Sequence, residues 1–165
     1  MDISVRKVEK SDLEEFTSIK AKAYADDRTK TIPLPQETPK WYDGEWYVGL
    51  GIPNRAENER LFEQFECYMI CAKENVIGIF WLHCEEENSL TVEDLCILPE
   101  EQGKGYGSQA LKCIEELYPE NKRWLLTTPC FCKRNRHLYE KNGYVNIGLV
   151  AENTVIMYEK SIKKL

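Results

Sequence analysis

The hydrophobic period changes around Pro99, and that change restricts the fold more than any other feature of the chain. Upstream, residues 67–72, 76–82 and 90–98 alternate or run apolar in the manner of strands, separated by Lys73-Glu74-Asn75 and by a polar turn over 85–89. Downstream, Ala110, Leu111, Ile114 and Leu117 recur at helical spacing with Lys112, Glu115 and Glu116 opposite, until Pro119 stops the run. Residues 124–128 then read as a short buried strand. Three hairpin-linked strands make an antiparallel meander, whereas a strand–helix–strand step requires a parallel, right-handed crossover. The expected class is therefore α/β (α+β mixed), with a mixed, mostly antiparallel central sheet and helices on both faces.

The flanks fit that frame. Residues 3–8 alternate like a strand, and Ser11 with Glu14 reads as a capping box opening a helix that carries Leu13, Phe16, Ile19 and Ala23 on one side. Residues 58–65 return to helical spacing with Leu61, Phe62 and Phe65. Residues 135–142 form a short helix closed by Gly143, and strands over 144–150 and 154–160 surround a turn at Glu152-Asn153. The order is βα(α)βββαβαββ. Between 26 and 55, Pro33, Pro35, Pro39 and Pro53 break any regular element. Trp41, Tyr42, Trp46 and Tyr47 are too many large aromatics for a flexible linker. They read either as a wall of an acceptor pocket or as a surface loop packed on the core.

Size and charge narrow the partners. A chain of 165 residues is one domain, able to bury roughly 70% of its extended surface without disulfides or metals. Twenty-two basic against 28 acidic residues give −6, which disfavours nucleic acid or an anionic membrane and favours a cationic small molecule. No apolar run nears the ~20 residues that span a bilayer, and Met1-Asp2-Ile3-Ser4-Val5-Arg6 lacks a signal-peptide profile. Neither secretion nor membrane insertion is expected. Seven cysteines, an odd number, then imply reduced thiols in a cytoplasmic protein. Cys130, Cys132 and His137 lack a fourth ligand at sensible spacing, so no metal site is expected. His83, in an apolar strand, reads as structural.

The chemistry concentrates in Gln102-Gly103-Lys104-Gly105-Tyr106-Gly107-Ser108, between a strand end and a helix start. Alternating glycines let the backbone approach a ligand and let successive N–H groups converge, and the helix adds its positive end. This suits phosphate or pyrophosphate. The spacing G-x-G-x-G meets neither the dinucleotide fingerprint nor the P-loop pattern. A glycine-rich turn that only connects strand to helix remains the plain alternative.

With Leu95-Cys96-Ile97-Leu98-Pro99 before it, this stretch resembles the GNAT superfamily of acetyl-CoA-dependent N-acetyltransferases. A second segment agrees: Asn135-Arg136-His137-Leu138-Tyr139-Glu140-Lys141-Asn142-Gly143-Tyr144 is similar to that family's Leu-Tyr-Glu-Lys-x-Gly-Phe/Tyr helix. The resemblance covers essentially the whole chain and implies one N-acetyltransferase domain over 1–165. It implies that Gln102, Gly103, Lys104, Gly105, Tyr106, Gly107 and Ser108 hold the pyrophosphate of acetyl-CoA. Leu95, Cys96 and Ile97 would then pair with the pantetheine arm, a backbone N–H there polarising the thioester carbonyl. Tyr139 stands where the family often keeps a general acid. Many members carry Asn seven residues before that tyrosine. Here the position is Cys132, and either Asn135 substitutes as the cofactor contact or that contact is absent.

Glu93 is the candidate on the acceptor side. Adjacent strand residues point to opposite faces, so Glu93 is expected beside Thr91, Leu95 and Ile97, with Asp94 turned away. Polyamine acetyltransferases of the family resemble this Glu-Asp pair, with the Glu near the amine. Both may equally be read as strand carboxylates facing solvent. An alkylammonium of pKa ~10.4 giving its proton to a carboxylate of pKa ~4.3 is uphill by roughly 8 kcal/mol, so Glu93 would act through water or position the amine. The expected function is acetyl transfer from acetyl-CoA to a primary amine of a small molecule or peptide. Attack is direct, in a ternary complex, with no cysteine nucleophile. Members of the family often form dimers through late strands, so a homodimer is one option, and the sequence itself leaves the oligomeric state open. The rival readings are a non-catalytic CoA-binding sensor and a nucleotide-binding regulator.

Overall fold

The meander forms where the alternation predicts it. In the computed structural model, which describes residues 2–30 and 49–162, β1 (Ile3–Lys7), β2 (Glu66–Ala72), β3 (Asn75–Glu86) and β4 (Ser89–Ile97) pair antiparallel in sequence. After β4 the chain crosses through a helix to β5 (Arg123–Pro129), which lies parallel to β4. β7 (Val155–Ser161) pairs antiparallel with β5, and β6 (Val145–Val150) forms the edge, giving the order β1-β2-β3-β4-β5-β7-β6.

Four α-helices stand among the described residues: α1 (Leu13–Lys30), α2 (Arg55–Gln64), α3 (Tyr106–Leu117) and α4 (Lys133–Lys141). Each face of the sheet carries its own core. On one, Leu13, Phe16 and Ile19 of α1 pack with Met69, Ile79 and Cys96 of the strands. On the other, Leu111 and Ile114 of α3 and Tyr139 of α4 pack with Phe80, Val92, Trp124 and Tyr158. Burial of these apolar side chains, worth about 1.5–3 kcal/mol each, fixes which face each helix covers.

Two helix starts differ from the sequence expectation. Instead of a Ser11–Glu14 box, Asp12 accepts the Glu9 N–H at 2.8 Å. Asp12 also takes both arms of Arg6, at 2.7 and 2.9 Å, so a strand residue pulls the cap upstream. α2 begins three residues before 58 because the Asn54 side chain accepts the Glu57 N–H at 3.1 Å. α1 also runs on to Lys30, seven residues past Ala23, with an Asp26–Lys30 pair at 2.6 Å on its final turn.

A bulge in β4 changes which residues face the site. Ile79 opposes Cys96, but Trp81 opposes Glu93, so β4 spends one more residue than β3 over this stretch. The extra residue is Asp94, whose φ of +47° is left-handed and uncommon without glycine. Alternation is therefore interrupted, and the expected faces of Glu93 and Asp94 are corrected. Glu93 is opposite Trp81, which packs on the α1 side, and Asp94 also turns to α1. Leu95 and Ile97 belong to the other face.

Gly78 of β3 permits this geometry. A Cβ there would stand 2.4 Å from the Cys96 carbonyl oxygen and 2.8 Å from Ile97 Cδ1. Gly78→Ala should therefore force β3 and β4 apart and destabilise the fold by about 1–3 kcal/mol. The expected reading is a lower denaturant midpoint with unchanged slope; an unchanged midpoint would contradict this packing.

Candidate active site

The parallel pair β4/β5 holds together only at one end. Ser89, Leu90 and Thr91 pair with Arg123, Trp124 and Leu125, and beyond them the two strands diverge. From Val92 to Ile97 the side of β4 toward β5 has no strand partner, so backbone groups line a slot in the middle of the sheet. One of them, the Ile97 carbonyl, accepts the Gln102 side-chain amide at 2.8 Å. The bulge at the slot is clamped by α1 and β3. Asp94 pairs with the buried Lys20 at 2.9 Å, accepts the Trp81 indole N–H at 2.8 Å and accepts the Tyr24 hydroxyl.

At the mouth of the slot, Gly103 and Gly105 take φ of +76° and +83°, and a Cβ on either would meet no atom within 4 Å. Open space therefore fronts both residues, directly before the N-terminal turn of α3. This cradle fits a pyrophosphate: approachable backbone and the positive end of a 12-residue helix. Gly107 has a different reason. Its Cβ would stand 3.1 Å from Leu138 Cδ2, so this glycine lets α3 pack on α4. Ser108 accepts Asn142 Nδ2 at 3.0 Å across the same interface. Lys104 pairs with Glu101 at 2.8 Å on the surface, and Tyr106 is half-buried against the core.

Tyr139 lies inside α4 and is 7% exposed, its ring edge-on to Tyr158 at 5.7 Å and tilted against Tyr144. Burial raises its phenol well above the ordinary value. Cys96, Cys132, Asp27 and Glu93 push it the same way. Among the described residues that hydroxyl has no hydrogen-bond partner. Cys132, the residue before α4, is buried, and its thiol is pushed up to about 12 by that burial. The Cys96 thiol is likewise raised by burial. Both stay protonated. Asn135 donates to the Thr128 hydroxyl of β5 at 3.2 Å, which sets it at the β5 side of the slot.

Glu93 is pushed up to about 7, first by burial and then by Asp94 and Glu85, with Lys20 opposing. Glu93, Leu95, Cys96 and Ile97 thus lie on the stretch of β4 without a partner in β5, Tyr139 lies in the core on α4, and the glycine loop lies directly before α3. The aromatic group Trp41, Tyr42, Trp46 and Tyr47 lies outside the described residues. Sequence reading missed the clamp of Lys20, Tyr24 and Trp81 on Asp94. A signal was available: Lys20 interrupts the apolar face of α1 four residues after Phe16.

The profile of the Acetyltransferase (GNAT) family matches residues 31–144, more than half of the chain. The chain belongs to the GNAT family of acetyltransferases. Solved structures agree on the fold. PaiA N-acetyltransferase from Thermoplasma acidophilum in complex with coenzyme A superposes with a TM-score of 0.74 at 18% identity, covering 98% of this chain and 100% of its own. Spermidine N-acetyltransferase from Vibrio cholerae, bound to CoA and spermine, gives 0.71 at 17% identity over 97% and 95%. RimL, a ribosomal L7/L12 α-N-protein acetyltransferase bound to coenzyme A, gives 0.72 at 15% identity over 98% and 95%. A comparison with curated proteins finds no sequence match.

This GNAT N-acetyltransferase uses acetyl-CoA as its acetyl donor, and among the described residues no helix is long and apolar enough to cross a membrane. Coenzyme A at a hundredfold over its Kd should stabilise the fold by about 2.7 kcal/mol. Gly105→Glu, which sets a side chain at positive φ and a carboxylate in the cradle, should weaken CoA by about a hundredfold or more in calorimetric titration. Wild-type affinity in that variant would remove the loop from the site.

Proposed function

We propose that the protein transfers the acetyl group of acetyl-CoA directly to a primary amine, with Glu93 on the amine side and Tyr139 on the sulfur side. The observation that carries this is the arrangement at β4. An unpaired strand edge runs between a half-buried carboxyl pushed up to about 7 and a buried phenol whose hydroxyl bonds to nothing else among the described residues. Acetyl-CoA supplies an activated acyl thioester. The strand stretch of Leu95, Cys96 and Ile97 pairs with the pantetheine arm through those backbone groups that face away from β3, and one N–H there polarises the carbonyl as the amine nitrogen attacks and the carbon–sulfur bond breaks. The loop from Gln102 to Ser108 holds the pyrophosphate, and Asn135 takes the pantetheine contact from the β5 side.

Glu93 takes up the amine's proton, directly or through water. Its raised pKa narrows the gap to an alkylammonium from roughly 8 to about 5 kcal/mol. Asp94 is less available for this, being tied to Lys20, Trp81 and Tyr24. Tyr139 stays protonated because it is buried, and it donates to the departing sulfur, which leaves as the thiol. Buried thiols that remain protonated support direct attack rather than an acyl-cysteine route. Glu93, Asp94 and the overall charge of −6 favour an acceptor that arrives as a cation, whether small molecule or peptide amine. Seven cysteines without a disulfide suit a reducing, cytoplasmic setting.

Tyr139→Phe keeps the ring and its contacts with Tyr144 and Tyr158 and removes only the donor. The kcat for acetylated product should fall roughly 10²-fold while the KM for acetyl-CoA holds. An unchanged kcat with a lowered Tm would end the general-acid role.

Glu93→Gln should abolish the acidic limb of the kcat/KM profile, which in the wild type falls as pH drops below about 7. The sign for stability is opposite. Folding favours the protonated carboxyl, so wild-type stability declines as pH rises from the ordinary carboxyl range through about 7, and the Gln variant escapes that decline. A limb that persists in the Gln variant would assign the titration to another group.

A further inference from the structure

We propose that Arg134, assisted by Lys30, is the side-chain cation that binds the pyrophosphate of acetyl-CoA, exchanging the amide oxygen of Gln102 for phosphoryl oxygens. The proposal rests on acetyl-CoA as the donor. Gln102 is the residue immediately before Gly103, and its side chain is fixed at both ends. Its nitrogen donates to the Ile97 carbonyl at the end of β4. Its oxygen accepts Arg134 Nη1 at 2.6 Å and Lys30 Nζ at 3.1 Å.

Three elements meet at that oxygen: the end of α1 through Lys30, the first turn of α4 through Arg134, and the entrance to the glycine loop. Two cations thus converge on one neutral acceptor, where each repels the other and neither is neutralised by it. Lys30 has Asp26 at 2.6 Å to offset its charge. Arg134 pairs with no carboxylate among the described residues, and Glu101, the acid just before Gln102, pairs with Lys104. The other basic residue of this turn, Arg136, donates to the Cys130 carbonyl at 3.2 Å and so faces away from the loop.

The Arg134–Gln102 bond also joins the β5/α4 side of the slot to the β4 side, over the entrance a pantetheine arm must pass. A guanidinium bonded to an exposed amide gains little. The same guanidinium on a phosphate gains charge-assisted and bidentate bonds. The exchange therefore opens the entrance and places Arg134 beside the open space in front of Gly103 and Gly105.

The test is calorimetric titration of CoA and of 3′-dephospho-CoA into wild type, Arg134→Gln and Arg134→Lys, at two salt concentrations. Arg134→Gln should weaken both ligands equally, by about tenfold, and reduce the salt dependence of binding. Arg134→Lys should recover part of the loss, and the ligand-free Tm should be unchanged in both variants because the side chain is exposed. Wild-type affinity in Arg134→Gln overturns the proposal. A penalty seen with CoA but absent with 3′-dephospho-CoA overturns it too, moving Arg134 to the 3′-phosphate. Failure of the wild type to bind either ligand would remove acetyl-CoA as the donor and this inference with it, whereas binding that ignores Arg134 removes this inference alone.

Discussion

The site depends on a carboxylate that makes no part of the reaction. Asp94 sits at positive φ in the middle of a strand, a conformation that costs of order 1–3 kcal/mol for a residue other than glycine. Three donors on two elements hold it there: Lys20 and Tyr24 from α1 and Trp81 from β3. The bulge so fixed turns Glu93 toward α1 and bends β4 away from the continuation of β5. Without it, β4 would alternate regularly and Glu93 would lie on the face of Leu95 and Ile97.

The same constraint accounts for the electrostatics. Glu93 is half-buried beside Asp94, and both facts push its carboxyl up. Lys20 opposes the shift, but it is paired with Asp94. Tyr139 belongs to the core of α3 and α4 and Glu93 to the α1 side, so the two groups proposed for the chemistry are anchored in different layers of the sheet.

Much of the fold was legible because its signals are local or periodic. The change from period two to helical spacing at Pro99 locates the crossover, and the glycines with the Leu138-Tyr139-Glu140-Lys141 run locate the loop and the phenol. The bulge was not legible. Asp94 has no glycine or proline beside it, and its conformation is set by partners 70 and 74 residues away in α1 and 13 away in β3. The helical start before α1 escaped for a related reason, since Arg6 on β1 holds Asp12, whose carboxylate accepts the N–H of Glu9 and moves the cap up to that residue. Gly107 has a packing reason the sequence did not reveal, the close approach of Leu138. Arg134 carried no local mark at all, its meaning lying in Gln102 and Lys30.

That contact of Gly107 with Leu138, with Ser108 and Asn142 bonded beside it, fastens the phosphate loop to the helix of Tyr139. The two cannot be optimised separately. A substitution that widens the loop for a bulkier acyl donor would shift the phenol with it, and one that repositions the phenol would disturb the loop. Variation that survives selection at one should therefore arrive as paired changes across α3 and α4. On the proposed assignment, the layer of α1 and the bulge, which takes no part in that contact, is free to diversify around an unchanged donor half.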